Sequence, residues 1–224
     1  MKLLTWSKRS DDDGLADRAV WQAASLLLAY PDEQHEQRLD TVDSLLAHLN
    51  GKAAELLART VAELRAKDLL AAATEYVETF DLRRRSTMYL TYWTGGDTRN
   101  RGTQMVAFIG AYRRAGVTPP QDEGPDHLPV LLEFAATVDP QRGRRLLVAH
   151  RVPLDVVQQS LAAAQSPYAH TIAAVCETLP AVTDSEVQRV QQLAEVGPPA
   201  ESVGLQPYTL TGPTPDSMTG IAGG

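Results

Sequence analysis

The sequence predicts an all-α protein: a single globular helical domain of about nine helices, with two lobes around a Pro/Gly hinge as a variant of that arrangement. Three observations carry the expectation. Apolar residues recur every three or four positions along most of the chain, the period of a helix with one buried face. Aspartate or proline opens many of these segments, and glycine or proline follows several of them, as helix termini require. Ala, Leu, Gln and Glu, all good helix formers, dominate the second half. With 224 residues and 24.4 kDa, the chain can bury a substantial core without disulfides.

The first helix is expected over residues 16–29, with Val20, Trp21, Ala24, Leu27 and Leu28 on one face. Pro31 ends it by disfavouring the α conformation at Tyr30. A second, over 33–50, carries Leu39, Val42, Leu46 and Leu49 on a stripe, with Gly51 as its C-terminal cap. Leu56, Leu57, Val61 and Leu64 mark the third. Asp68 caps a fourth that runs through Tyr76, Val77 and Phe80. The β-prone stretch around Tyr89, Tyr92 and Trp93 leaves helix or strand open. Residues 103–114 are helical again and stop at Gly116. Residues 116–129 hold three glycine or proline clusters and form the internal boundary, the expected hinge. Five shorter helices follow, over 130–138, 141–150, 154–165, 168–179 and 184–196. No repeat of fixed period suggests a solenoid.

Residues 1–14 read as a flexible N-terminus and 15–196 as the helical domain. From 197 to 224 the composition turns to Gly, Pro, Ser and Thr, which bury too little apolar area to offset ordering entropy, so a mobile, disordered tail is expected. The start of the chain lacks a signal-peptide core, and no apolar stretch reaches the length of a membrane span. With one cysteine besides, the expected compartment is the cytoplasm, without stable membrane association. Cys176 lies in the apolar run 171–179 and reads as a buried thiol acting as a small hydrophobe. A net charge of −7 argues against a protein that coats nucleic acid or anionic lipid.

Charge and rings are unevenly distributed. Between residues 83 and 114 stand Arg83, Arg84, Arg85, Arg99, Arg101, Arg113 and Arg114 against Asp97 alone. Tyr76, Phe80, Tyr89, Tyr92, Trp93, Phe108 and Tyr112 crowd nearly the same window. Guanidinium forks pair carboxylates or phosphates while rings supply rigid apolar area, so the mixture is that of a recognition surface. Tyr76 and Phe80, one helical turn apart, read as core; Arg83, Arg84, Arg85, Tyr89, Tyr92, Trp93, Arg99 and Arg101 are the candidate binding residues.

Two short motifs carry weaker signals. The glycine-rich turn Gly95-Gly96-Asp97-Thr98 precedes a helix, where free amides can receive an anion, yet it matches no phosphate-binding fingerprint and reads as a loop and cap. Asp126 and His127 supply an acid–base pair, but no nucleophile or metal-spaced ligand accompanies them. His35, His48, His150 and His170 are scattered. Asp126 therefore reads as the cap of a helix beginning near Pro129, with Pro125 and Pro129 stiffening the approach.

Several of these residues together resemble a known family. Tyr76-Val77-Glu78-Thr79-Phe80-Asp81, Ser86-Thr87-Met88-Tyr89-Leu90, Asp97-Thr98-Arg99-Asn100-Arg101-Gly102 with Met105, and Pro125-Asp126-His127-Leu128-Pro129 look like the nitrate reductase molybdenum cofactor assembly chaperones of NarJ type. These belong to the wider TorD/DmsD/NarJ redox-enzyme maturation proteins. The run Leu26-Leu27-Leu28-Ala29-Tyr30-Pro31 also fits, and the likeness spans about residues 20–138.

The resemblance implies a non-catalytic, all-helical chaperone without a cofactor of its own. Its partner would be the catalytic α subunit of a respiratory nitrate reductase, recognised through its N-terminal segment and kept competent for molybdenum cofactor insertion before membrane assembly. Tyr76, Phe80 and Asp81 match the first motif; Glu123, Pro125, Asp126 and His127 match the second, which the resemblance places at the hinge between lobes. Mechanically, an apolar groove with arginines at its rim suits an amphipathic client segment. The alternatives are a small hydrolase or transferase using Asp126 and His127, and a nucleic-acid-binding regulator, which the overall charge disfavours.

Overall fold

In the computed structural model, helix α1 (Asp11–Leu27) is the element against which most others assemble. The structure describes residues 11–96, 99–120 and 122–197, so parts of the flexible N-terminus and nearly all of the tail expected from the sequence lie outside it. Val20, Trp21, Ala23, Ala24 and Leu27 of α1 are buried. Three of its side chains reach the far half of the chain: Arg18 Nε donates to the Ala136 carbonyl at 2.8 Å, Trp21 Nε1 to Thr178 Oγ1 at 2.8 Å, and Ser25 Oγ to the Pro129 carbonyl at 2.9 Å.

Helices α2 (His35–Leu46) and α3 (Lys52–Arg65) form a hairpin beside α1. Gly51 does not cap α2. That helix closes through backbone bonds from His48 to Leu45 and from Leu49 to Leu46, whereas Gly51, at φ +83°, sits at the N-cap of α3. A left-handed φ there suits glycine because it reverses the chain directly into the next helix. Asp68 caps α4 (Leu69–Tyr76) as expected, accepting from the Ala71 amide at 2.8 Å. The helix then widens into a π-turn over Val77–Asp81, which holds Thr79 and Phe80 inward. Tyr76 and Phe80 are core residues, both in ring contact with Tyr168.

A 3-10 turn (Arg84–Ser86) leads to α5 (Leu90–Gly95), which settles the open question at 89–93 in favour of a helix. The β tendency survives only as one antiparallel bridge between Tyr89 and His127. Helix α6 (Arg99–Arg114) starts four residues earlier than residue 103 and ends where Gly116 turns at φ +78°. Helix α7 (Leu128–Glu133) passes into a second π-turn (Phe134–Val138). There follow α8 (Pro140–Ala149), α9 (Arg151–Ala163), α10 (Tyr168–Glu177) and α11 (Asp184–Val196), the last opened by a Thr183–Glu186 capping box. The count is eleven α-helices among the described residues rather than nine, because the sequence shows α5 only as an ambiguous stretch and the short, distorted turns blur element ends.

One hydrophobic cluster contains Trp21, Leu28 and Leu57 together with Leu128, Leu131, Leu154 and Tyr168. The core thus joins both sides of 116–129 in a single helical domain. Cys176 is half-buried, its Sγ 3.5 Å from Asp155 Oδ1, and burial pushes its thiol up to about 12, so it stays protonated at neutral pH.

Candidate functional site

The motifs named above meet at one junction. Backbone bonds from Leu90 N to the Asp126 carbonyl (3.1 Å) and from Leu128 N to the Met88 carbonyl (2.9 Å) clamp the start of α5 against the start of α7. Asp126, fully buried, accepts at Oδ2 from the Thr91 amide at 3.1 Å and from the Thr91 hydroxyl. Thr91 is the second residue of α5, whose N-cap Tyr89 has no side chain able to cap. Asp126 supplies that cap from another segment. The expectation that it caps the following helix is corrected: the N-cap of α7 is His127, without a side-chain bond.

Arg101 reaches the same place from α6. Its Nε donates to Thr91 Oγ1 at 3.2 Å and its Nη2 lies 3.7 Å from Asp126 Oδ2, while Met105 Sδ is 3.8 Å from the Thr91 hydroxyl. The Arg101 guanidinium also stands over the Tyr89 ring, 5.3 Å from its centroid. Tyr89 stacks on His127 at 4.8 Å and donates its hydroxyl to Glu123 Oε2 at 3.1 Å. Gly124 fits here because a Cβ would stand 2.9 Å from Asp126 Oδ1 and 3.1 Å from the Tyr89 ring.

Asp126 and His127 do not form an acid–base pair. Asp126 is occupied by Thr91, and His127 Nδ1 lies 3.1 Å from Glu123 Oε2 instead. Burial lowers the imidazole of His127 below its usual range, against the opposing charges of Glu123, Asp126 and Asp81. Burial raises the Tyr76 phenol, and Asp81 and Glu123 add to the shift, so the first and second motifs lie within electrostatic reach of each other. The junction is a structural joint built from buried polar groups.

The remaining candidates divide. Arg83, Arg84 and Arg85 are exposed and project from the segment between the π-turn and α5. Asp81 is exposed beside them, Pro125 is buried and Tyr92 is half-buried. Trp93 is corrected from binding residue to core: it is 1 % exposed, and its Nε1 donates to the Thr87 carbonyl at 3.1 Å. The side chain of Arg99, like Asp97 and Thr98, falls outside the described residues.

A second feature was not visible in the sequence. A shallow cleft of about 360 Å³ is lined by Tyr30, Leu70, Ala73, Val77, Glu78 and Leu82. Leu70 and Leu82 are 77 % and 72 % exposed and Tyr30 is 50 % exposed, an apolar surface that nothing in the described chain covers. Leu82 is followed directly by Arg83, so the arginine triplet borders the cleft. The sequence signal was Leu70 and Leu82 themselves, large apolar residues off the buried stripe. Among the described residues no cluster of three or more His, Cys, Asp or Glu is placed to hold a metal ion, and no helix is long and apolar enough to cross a membrane.

A family model described as nitrate reductase delta subunit matches residues 43–174, a span that contains the whole junction and most of the cleft. The chain belongs to the nitrate reductase delta subunit family. Over 159 residues it is 60% identical to the nitrate reductase-like protein NarX of Mycobacterium tuberculosis (strain H37Rv), an alignment covering 71% of this chain and 24% of that protein. It is 33% identical over 130 residues to the probable nitrate reductase molybdenum cofactor assembly chaperone NarJ of Bacillus subtilis, covering 57% of this chain and 71% of that one. With the nitrate reductase molybdenum cofactor assembly chaperone NarJ of Escherichia coli K12 the identity is 34% over 115 residues, 50% of this chain and 49% of the relative. The match therefore spans a minor part of the Mycobacterium relative's length and half or more of the two chaperones.

Proposed function

We propose that the chain is a chaperone of nitrate reductase assembly. It binds the apo catalytic α subunit of respiratory nitrate reductase through that subunit's N-terminal segment, in the cytoplasm, and keeps it competent for molybdenum cofactor insertion before membrane assembly. The observation that carries this reading is the uncovered apolar cleft of Tyr30, Leu70, Val77 and Leu82, bordered by Arg83–Arg85 on one side and by Glu78 and Asp81 on the other. Such a surface takes one face of an amphipathic segment, and the mixed charge at its rim selects register and partner. Two relatives bear the name of assembly chaperones, which supports the same reading. The junction at Tyr89, Asp126 and His127 holds the neighbouring elements in place and does no chemistry. Residues 116–129 act as a hinge that lets the flanking helices adjust to the client.

The test is calorimetric titration of the chain with an N-terminal peptide of the α subunit. Binding is expected to saturate, and Leu70→Asp with Leu82→Asp should weaken it by tenfold or more, about 1.4 kcal/mol, with the thermal midpoint almost unchanged because both residues are exposed. Absence of any heat across accessible concentrations removes peptide recognition from the reading. Full affinity in the double variant moves it away from this cleft.

A further inference from the structure

A second cleft, between α6 and α8, is cationic. It encloses about 370 Å³ and is lined by Arg114 of α6, by Arg142 and Arg145 of α8, and by a floor of Ala107, Ala111 and Leu146. Arg142 is committed to Asp139, the N-cap of its own helix. Burial works to raise the Asp139 carboxyl, but the Arg142 bonds and the charges of Arg142 and Arg145 outweigh it and hold it low. Arg114 and Arg145 have no hydrogen-bond or ion-pair partner among the described residues. Three guanidinium groups against one carboxylate leave a local surplus of positive charge in a chain of net −7.

Gly110 contributes to the arrangement. A Cβ at this position would stand 3.1 Å from Arg114 Nη1, so the guanidinium lies back along α6 over the bare glycine. Glycine weakens a helix interior, and no unusual φ requires it here. The site is thus two unpaired guanidinium groups on adjacent helices above a small apolar floor. Guanidinium forks match phosphate oxygens, often bidentately, and an apolar floor receives a flat ring.

We propose that this cleft binds a nucleotide, its phosphates on Arg114 and Arg145 and its base against Ala107, Ala111 and Leu146. An acidic peptide is the competing occupant. The size of the cleft favours the nucleotide: it lies at the lower end of the roughly 300–1,000 Å³ of small-molecule sites, and its lining spans about two turns of α6 and one of α8. The inference is separate from client binding, which uses the other cleft.

Titration of the full chain with GTP, ATP, GMP and inorganic pyrophosphate, followed by calorimetry at two salt concentrations, tests it. A nucleoside triphosphate is expected to bind saturably with a Kd below about 1 mM and to weaken as salt rises. Arg114→Gln and Arg145→Gln should each lower the affinity about tenfold. Arg113→Gln, exposed but outside the cleft, should leave it unchanged. All three variants should keep the parent's helical signal and melting profile. No saturation by about 1 mM overturns the proposal. So does equal weakening by Arg113→Gln, which marks diffuse attraction to surface charge. Pyrophosphate binding as tightly as the nucleotides overturns the role of the base. A glutamate-rich peptide that binds more tightly than any nucleotide, and is lost in the same two variants, overturns it in favour of an acidic protein segment.

Discussion

Asp126 reaches Thr91 across 35 residues of chain and is fully buried there. Such a group is stabilising only while its partners remain, because each buried polar group left unpaired costs about 1–3 kcal/mol. Asp126→Ala strips both the amide and the hydroxyl of Thr91 of their acceptor, so a loss of about 3 kcal/mol in urea denaturation is expected. Asp126→Asn, which keeps an acceptor oxygen, should cost about half as much. Equal stability of Asp126→Ala and the parent would show that the cap is dispensable. Three histidines define a pH dependence. Burial lowers the imidazoles of His35, His127 and His150 below the model value of 6.5. The unfolded chain then binds more protons than the folded one as pH drops below about 6.5, so their contribution is present above that pH and is lost on acidification. The urea midpoint should fall between about pH 7 and pH 5, before carboxylates titrate, and His127→Gln should flatten the fall. A flat midpoint over that range would contradict the buried neutral state.

Among the elements, α8 shows how packing reverses a propensity argument. Gly143 lies inside α8, where alanine ordinarily improves a helix by about 0.5–1 kcal/mol. A Cβ at Gly143, however, would meet Ala135 Cβ at 2.3 Å and Ala135 Cα at 2.4 Å, so the π-turn over Phe134–Val138 would have to move. Overpacking costs about 1–3 kcal/mol, which outweighs the propensity gain. Gly143→Ala should therefore lower the thermal midpoint, and a raised midpoint would show that α8 slides freely on the turn. Asp68→Ala at the N-cap of α4 makes a smaller, opposite case, with an expected loss of about 1 kcal/mol because local cap chemistry alone decides it. Helix α4 also carries Leu70 and Ala73 of the client cleft, so fraying of its first turn should weaken peptide binding as well.

For the whole molecule, the decisive fact is that one core runs across residues 116–129. Bonds from Arg18, Trp21 and Ser25 tie the first helix to residues beyond 128. Unfolding followed by tryptophan fluorescence and by far-ultraviolet circular dichroism should therefore give coincident, single transitions. Two separated transitions would instead establish independent lobes. The two clefts lie on different helices, α4 with its π-turn against α6 with α8. Charge substitutions in one should consequently leave binding at the other additive within about 0.5 kcal/mol.

The helical class, most helix positions and the caps at Asp68 and Thr183 were legible in the sequence because they depend on residues within one turn of each other. The family motifs were legible as a set for the same reason: their order and spacing are chain properties. Other assignments needed the fold. Asp126 looked like a cap for the helix that follows it, and tertiary packing turned it instead toward α5. Trp93 looked like a surface ring and proved to be core. Gly51 served the helix after it rather than the one before. Each depends on which segment comes to lie beside another, and local spacing holds no record of that. What the sequence determined alone was an all-helical member of a recognisable family with an arginine-rich, ring-rich middle. What only the tertiary structure decided was where that middle points: its rings inward, its arginine triplet outward, and beside the triplet an apolar cleft made by residues from 30 to 82 that no linear pattern brings together.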